Sequence, residues 1–76
     1  MNTKRRRILN RVMVTLNDAR QTIEQVLDEE RESLENTPEG LQNTDAYRWS
    51  EDVVDFMEDA CSSLDEATEN ITAAIS

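Results

Sequence analysis

Residues 44–75 read TDAYRWSEDVVDFMEDACSSLDEATENITAAI. No Gly or Pro interrupts them. Apolar or small residues recur at steps of three and four: Ala46, Ser50, Val53, Met57, Ala60, Leu64, Ala67, Ile71 and Ala74. That spacing holds one face of an α-helix in register with a neighbouring helix. A second row, Tyr47, Val54, Cys61, Thr68 and Ile75, runs beside the first at intervals of seven, and Trp49 and Phe56 flank its other side. The apolar arc is roughly 160° wide at about 100° per residue, more than one partner helix covers. The helix is expected to start at Asn43 or Thr44. A start at Ser50, where Ser50-Glu51-Asp52 also reads as a capped first turn, competes with it.

Upstream lies Asn36-Thr37-Pro38-Glu39-Gly40-Leu41-Gln42-Asn43. Asn36 suits a helix C-terminus because Asn tolerates left-handed geometry. Pro38 forbids simple continuation of a helix. Thr37-Pro38-Glu39 can open a short turn with Thr37 as its cap, and Leu41 is the apolar residue placed to plug the end. Before this turn, residues 3–35 again lack Gly and Pro and carry the stripe Leu9, Val12, Leu16, Ala19, Ile23 and Val26, widened by Ile8, Met13, Leu27 and Leu34. Arg20 borders that stripe, Glu30 takes a core-type position, and Val14 falls on the opposite side.

The fold class is therefore all-α: one domain over residues 1–76, with a helix over about 3–35, a turn over 36–43 and a helix over about 44–75, forming a long antiparallel hairpin. Facing residue numbers should sum to about 81, placing Leu16 opposite Leu64–Ala67 and Glu30 near Ser50, Val53, Arg48 and Trp49. A buried polar residue such as Glu30 most often sets register.

A two-helix hairpin has almost no interior, and small scaffolds need a further staple. Cys61 is the one cysteine and histidine is absent, so neither an internal disulfide nor a zinc site supplies it. Self-association, as a dimer or tetramer forming a bundle of four or more helices, is the remaining route. The residues expected between copies are Val12, Leu16, Ile23, Val54, Phe56, Met57, Cys61, Leu64 and Ile71.

The net charge of −9 is unevenly placed. Residues 1–20 hold six cations (Lys4, Arg5, Arg6, Arg7, Arg11, Arg20) against Asp18, net +5; residues 21–76 hold Arg31 and Arg48 against sixteen carboxylates, net −14. So acidic a body disfavours direct nucleic-acid binding. No apolar run is long enough for a membrane span. Asn10 and Arg11 break what would be a signal-peptide core, and with one free cysteine a reducing cytoplasm is the expected location.

Chemistry is sparse. Without histidine the commonest general base is missing. Gly40 is the one glycine, so no phosphate-cradling loop exists. Cys61 beside an apolar stripe reads as an inert buried thiol. Glu29-x-x-Glu32 with Asp52-x-x-Asp55 or Asp55-x-x-Glu58 matches the spacing of all-α magnesium nucleotide pyrophosphohydrolases. On a helical wheel, however, those carboxylates point to solvent. A non-enzyme without cofactor or metal is expected. Two clusters are candidate ligand-binding residues: Arg5, Arg6, Arg7 and Arg11, whose planar forks suit phosphate, and Tyr47, Arg48 and Trp49, which can stack on and neutralise a nucleotide. Each has a plainer reading, as a helix end against acidic neighbours (Asp65, Glu66, Glu69) and as hairpin-end packing with Leu34 and Leu41.

Asp28-Glu29-Glu30-Arg31-Glu32-Ser33-Leu34-Glu35-Asn36-Thr37-Pro38-Glu39-Gly40-Leu41-Gln42 resembles small phage and prophage proteins. These carry an acidic helix end, then Asn-Leu-Pro-Glu-(Ser/Gly)-Leu-Gln, then a second acidic helix. Met57-Glu58-Asp59-Ala60 and Leu64-Asp65-Glu66-Ala67 resemble their Met-Glu-Glu-Ala and Leu-Glu-Glu-Ala repeats. The likeness covers about two-thirds of the chain. Thr37 departs from the usual Leu, and Tyr47-Arg48-Trp49 from a more polar helix start. The resemblance implies a phage origin and a helical hairpin but no reaction. The expectation is a non-catalytic oligomer used in counter-defence, sequestering a host nucleotide immune signal between protomers. The alternatives are an acidic nucleic-acid mimic that inhibits a host defence protein (anti-CRISPR-like), a purely structural oligomer, or a metal-dependent pyrophosphohydrolase.

Overall fold

The computed structural model describes residues Met1–Ser76. It is all-helical: α1 (Thr3–Glu35), a 3-10 turn (Glu39–Leu41) and α2 (Asp45–Ile75), with the two long helices packed against each other as a hairpin. The molecule measures 59 × 15 × 13 Å.

Capping fixes the helix starts. The Asn2 side chain accepts from the Arg5 amide at 2.8 Å, and the Thr44 hydroxyl accepts from the Tyr47 amide at 3.2 Å. Each satisfies a backbone donor that the helix itself leaves free. Thr44, not Ser50, therefore opens α2. Asn36 ends α1 in right-handed geometry, and no residue has positive φ. Thr37 does not cap the following turn. Its hydroxyl donates back to the Ser33 carbonyl at 2.9 Å, and Pro38 stands at the head of the 3-10 turn with no side-chain cap.

The seam between the helices differs from the expected one by a rotation of each helix. On α1 the inward positions are Leu9, Met13, Leu16, Arg20, Ile23, Leu27, Glu30 and Leu34; on α2 they are Tyr47, Ser50, Val54, Met57, Cys61, Leu64, Thr68, Ile71 and Ile75. Both sets step by three and four. Val12, Ala19 and Val26, expected inside, are exposed, as are Ala46 and Ala74, while Val53, Ala60 and Ala67 are half-buried. Bulk decides the choice. Met13 and Leu27 remove more apolar surface from water than Val12 and Val26. The row Tyr47, Val54, Cys61, Thr68 and Ile75 does the same against five positions that hold alanine or valine.

Cross-helix contacts set the register. Arg20 meets Asp65, the Thr72 hydroxyl lies 3.9 Å from the Met13 sulfur, and Arg31 reaches Glu58 at 2.7 Å. A residue of α1 thus lies level with the α2 residue whose number complements it to about 85, roughly one helical turn away from the expected pairing. Only Leu27, Val54 and Cys61 are buried.

Candidate functional site

The antiparallel sense gives the hairpin two unlike flanks. On one, positions that follow an inward residue meet. Arg31, Glu58, Asp65 and Thr72 lie there. The Arg20 guanidinium crosses toward this flank and grips Asp65 with two bonds, 2.5 and 3.1 Å, while also bonding Glu24 at 3.0 Å. The hydrogen bond and charge of Asp65 hold the Arg20 pKa above its ordinary value, and Glu58 does the same for Arg31. Arg20 can occupy the seam because its methylene stem packs while its head reaches a carboxylate. A shallow polar cleft of about 230 Å³ lies here, lined by Arg20, Glu24, Arg31, Glu58, Ser62 and Asp65 with Leu27 and Cys61 at its floor.

On the other flank, positions that precede an inward residue meet. Val12, Ala19 and Val26 of α1 run beside Val53, Ala60 and Ala67 of α2, with Ile8, Trp49 and Phe56 along the outer margins. Trp49 and Phe56 are 61% and 62% exposed and touch edge to face, their centroids 6.3 Å apart. None of the nine carboxylates of α2 lies on this flank; all point along the three positions turned away from it. On α1 the flank holds two charges, Arg5 near its start and Glu29 near its end. At the turn it opens into a notch of about 370 Å³ lined by Ser33, Leu34, Leu41, Ala46 and Tyr47 among others.

The expected interface residues therefore divide. Leu16, Ile23, Val54, Met57, Cys61, Leu64 and Ile71 belong to the seam inside one chain, and only Val12 and Phe56 lie on the open flank. Cys61 is a free, buried thiol.

The expected ligand residues do not converge within one chain. Tyr47, Arg48 and Trp49 diverge by about 100° per residue: Tyr47 turns into the seam, Arg48 outward and Trp49 onto the open flank. Trp49 is absent from the notch where Leu34 and Leu41 sit. Arg48 makes only 3.5 Å contacts, to Asp45 and to the Asn43 carbonyl. It does not pair with Glu30, which is half-buried and has no ion pair. Arg5, Arg6, Arg7 and Arg11 are exposed and unpaired, and Asp65, their expected partner, is taken by Arg20. From this basic end to Arg48 the distance along the hairpin is about 40 Å at about 1.5 Å per residue. The Glu-x-x-Glu and Asp-x-x-Glu spacings do not converge either: no group of three or more His, Cys, Asp or Glu side chains could hold a metal ion, and Glu58 is bound to Arg31. No helix is long and apolar enough to cross a membrane. No family model, no curated protein and no solved structure matches this chain.

Proposed function

We propose that this protein is a non-catalytic, self-associating binding protein whose charge-poor flank closes on a second copy. The observation that carries the reading is the sorting of charge on α2: nine carboxylates, none on the flank that exposes Trp49 and Phe56. An unselected surface on so acidic a chain would scatter some of them there. Exposed apolar patches of this kind mark interaction sites. Area supports the same reading. The chain exposes 5818 Å², whereas a compact monomer of its mass exposes roughly 4,700 Å². The surplus of roughly 1,100 Å² exceeds the about 800 Å² that each partner commits to a standard interface. Sedimentation equilibrium at micromolar concentration tests it: a dimer or tetramer is expected, and a monomer refutes it.

The use of that assembly is proposed to be phage counter-defence by sequestering a host nucleotide signal between protomers. The unpaired arginines at one end and the open Arg48 and Trp49 at the other support it, given that a second copy can bring one end to the other. Thermal shift against cyclic and ADP-ribose-type nucleotides tests it, with loss of the shift in Arg48→Ala. No shift with any of them refutes sequestration and leaves self-association standing. Nucleic-acid mimicry is the second reading. It rests on the carboxylate rows of α2, nine carboxylates against the single cation Arg48 on one helix. Competition with DNA for a purified DNA-binding defence nuclease separates the two.

A further inference from the structure

We infer that the second copy packs antiparallel across the charge-poor flank, so that the two turns lie at opposite ends and α1 crosses its own counterpart near Ala19. The inference rests on the self-association proposed above and adds its orientation. A two-fold pairing of these flanks has two arrangements. With the turns together, α1 of one copy faces α2 of the other. With the turns apart, α1 faces α1 and α2 faces α2. Every adjacent helix pair is antiparallel in both, so helix dipoles do not choose between them.

Charge does. The turn half of the hairpin, residues 20–64, holds three arginines and thirteen carboxylates, net −10; the open half holds five cations and four carboxylates, net +1. Turns together would set −10 against −10 along the whole half. Turns apart set each acidic half against the basic end of the partner. The two charges on the flank point the same way. Arg5 and Glu29 have opposite sign and lie on either side of the central alanine, Ala19. Turns apart bring each toward the other across the two-fold axis, with Arg5 about four residues, roughly 6 Å, from the level of the partner's Glu29. Turns together place Glu29 level with the partner's bulky Phe56. Side-chain volume agrees: with Ala19 at the axis, Val12 faces Val26 and Phe56 faces Ala74, and only alanine and serine occupy the middle of α2, where the backbones approach closest.

Distance measurement between spin labels decides the matter. Gly40 has ordinary negative φ and nothing within 4 Å of an added Cβ, so Gly40→Cys in a Cys61→Ala background carries a label at the turn without disturbing the seam register. Turns apart predict an inter-label distance of roughly 55–60 Å, from about twenty residues of helix on each side of the axis at about 1.5 Å each. A distance under about 25 Å overturns the orientation while keeping self-association. Absence of any intermolecular coupling, with circular dichroism still helical, overturns self-association itself. Disulfide formation gives an independent reading. Ala19→Cys is expected to cross-link to itself between copies, while Phe56→Cys is not. The reverse pattern overturns the inference.

Discussion

Phe56 and Val14 are equally exposed, each at 62%, yet the proposed assembly gives them opposite weight. Phe56 lies on the charge-poor flank and Val14 on the outer side of α1. A phenylalanine side chain presents about 200 Å² in all, so about 120 Å² of Phe56 remains for a partner to cover. At about 25 cal/mol per Å² that is worth about 3 kcal/mol, of which truncation to alanine removes about 2 kcal/mol. Two copies contribute, so Phe56→Ala is expected to weaken dimerisation by about 4 kcal/mol, roughly a thousandfold in Kd. Alanine is the better helix former, so α2 itself is not the cause of any loss. Val14→Ala is the matched control and should shift Kd by less than about threefold. Sedimentation equilibrium over a concentration series, with circular dichroism on the same samples, reads both. Equal effects of the two substitutions, or a Phe56→Ala shift below about fivefold, would refute the assignment of this flank as the interface.

Other substitutions probe the hairpin itself. Leu27→Ala, at the most buried position (4% exposed), should cost about 2–3 kcal/mol, at the low end for buried leucine because a two-helix seam can relax; urea melts at fixed protein concentration measure it. Arg20→Leu should be neutral or stabilising by up to about 1 kcal/mol, since the freed Asp65 is already half-exposed and returns to solvent; thermal melts showing a loss above 1 kcal/mol would contradict this account of the seam. Thr44→Ala removes the cap on α2 and should lower stability by about 1 kcal/mol, with hydrogen exchange accelerating first at residues 45–48.

The helices and turn were legible because their signals are local. Uninterrupted propensity, Thr44 at the start of α2, and Pro38 beyond the end of α1 place the elements within a residue or so of where they lie; the Asn2 cap emerges only from the structure. The seam was not equally legible. Val12 and Met13, Val26 and Leu27, Val53 and Val54 are neighbours, so two heptad rows one residue apart are both apolar. Spacing alone does not say which row a partner in the same chain takes. That is settled by competition for volume across the pair, which depends on both helices at once. The ion pair of Arg20 with Asp65 lies forty-five residues apart in sequence, and no local pattern announces it. The ligand residues illustrate the same limit: Tyr47, Arg48 and Trp49 are consecutive in sequence and therefore point in three directions on a helix.

The leftover rows explain why association should stop at a closed unit. A hairpin whose apolar residues covered both flanks would offer a partner on each side and could add copies without end. Here the two flanks are unlike. One carries the Arg20–Asp65 and Arg31–Glu58 pairs with Glu24 and Glu51 beside them, and the other carries the exposed Val12, Val26, Trp49 and Phe56. Pairing charge-poor flank to charge-poor flank about a two-fold axis consumes that surface in both copies. What then faces outward is the carboxylate rows of α2 and the charged flank of each hairpin, and these repel further copies. In the proposed dimer, the acidity that argues against direct nucleic-acid binding would thus also limit assembly, and the two ends of the bundle would be the places where one chain's arginines approach the end carrying the other's Arg48 and Trp49.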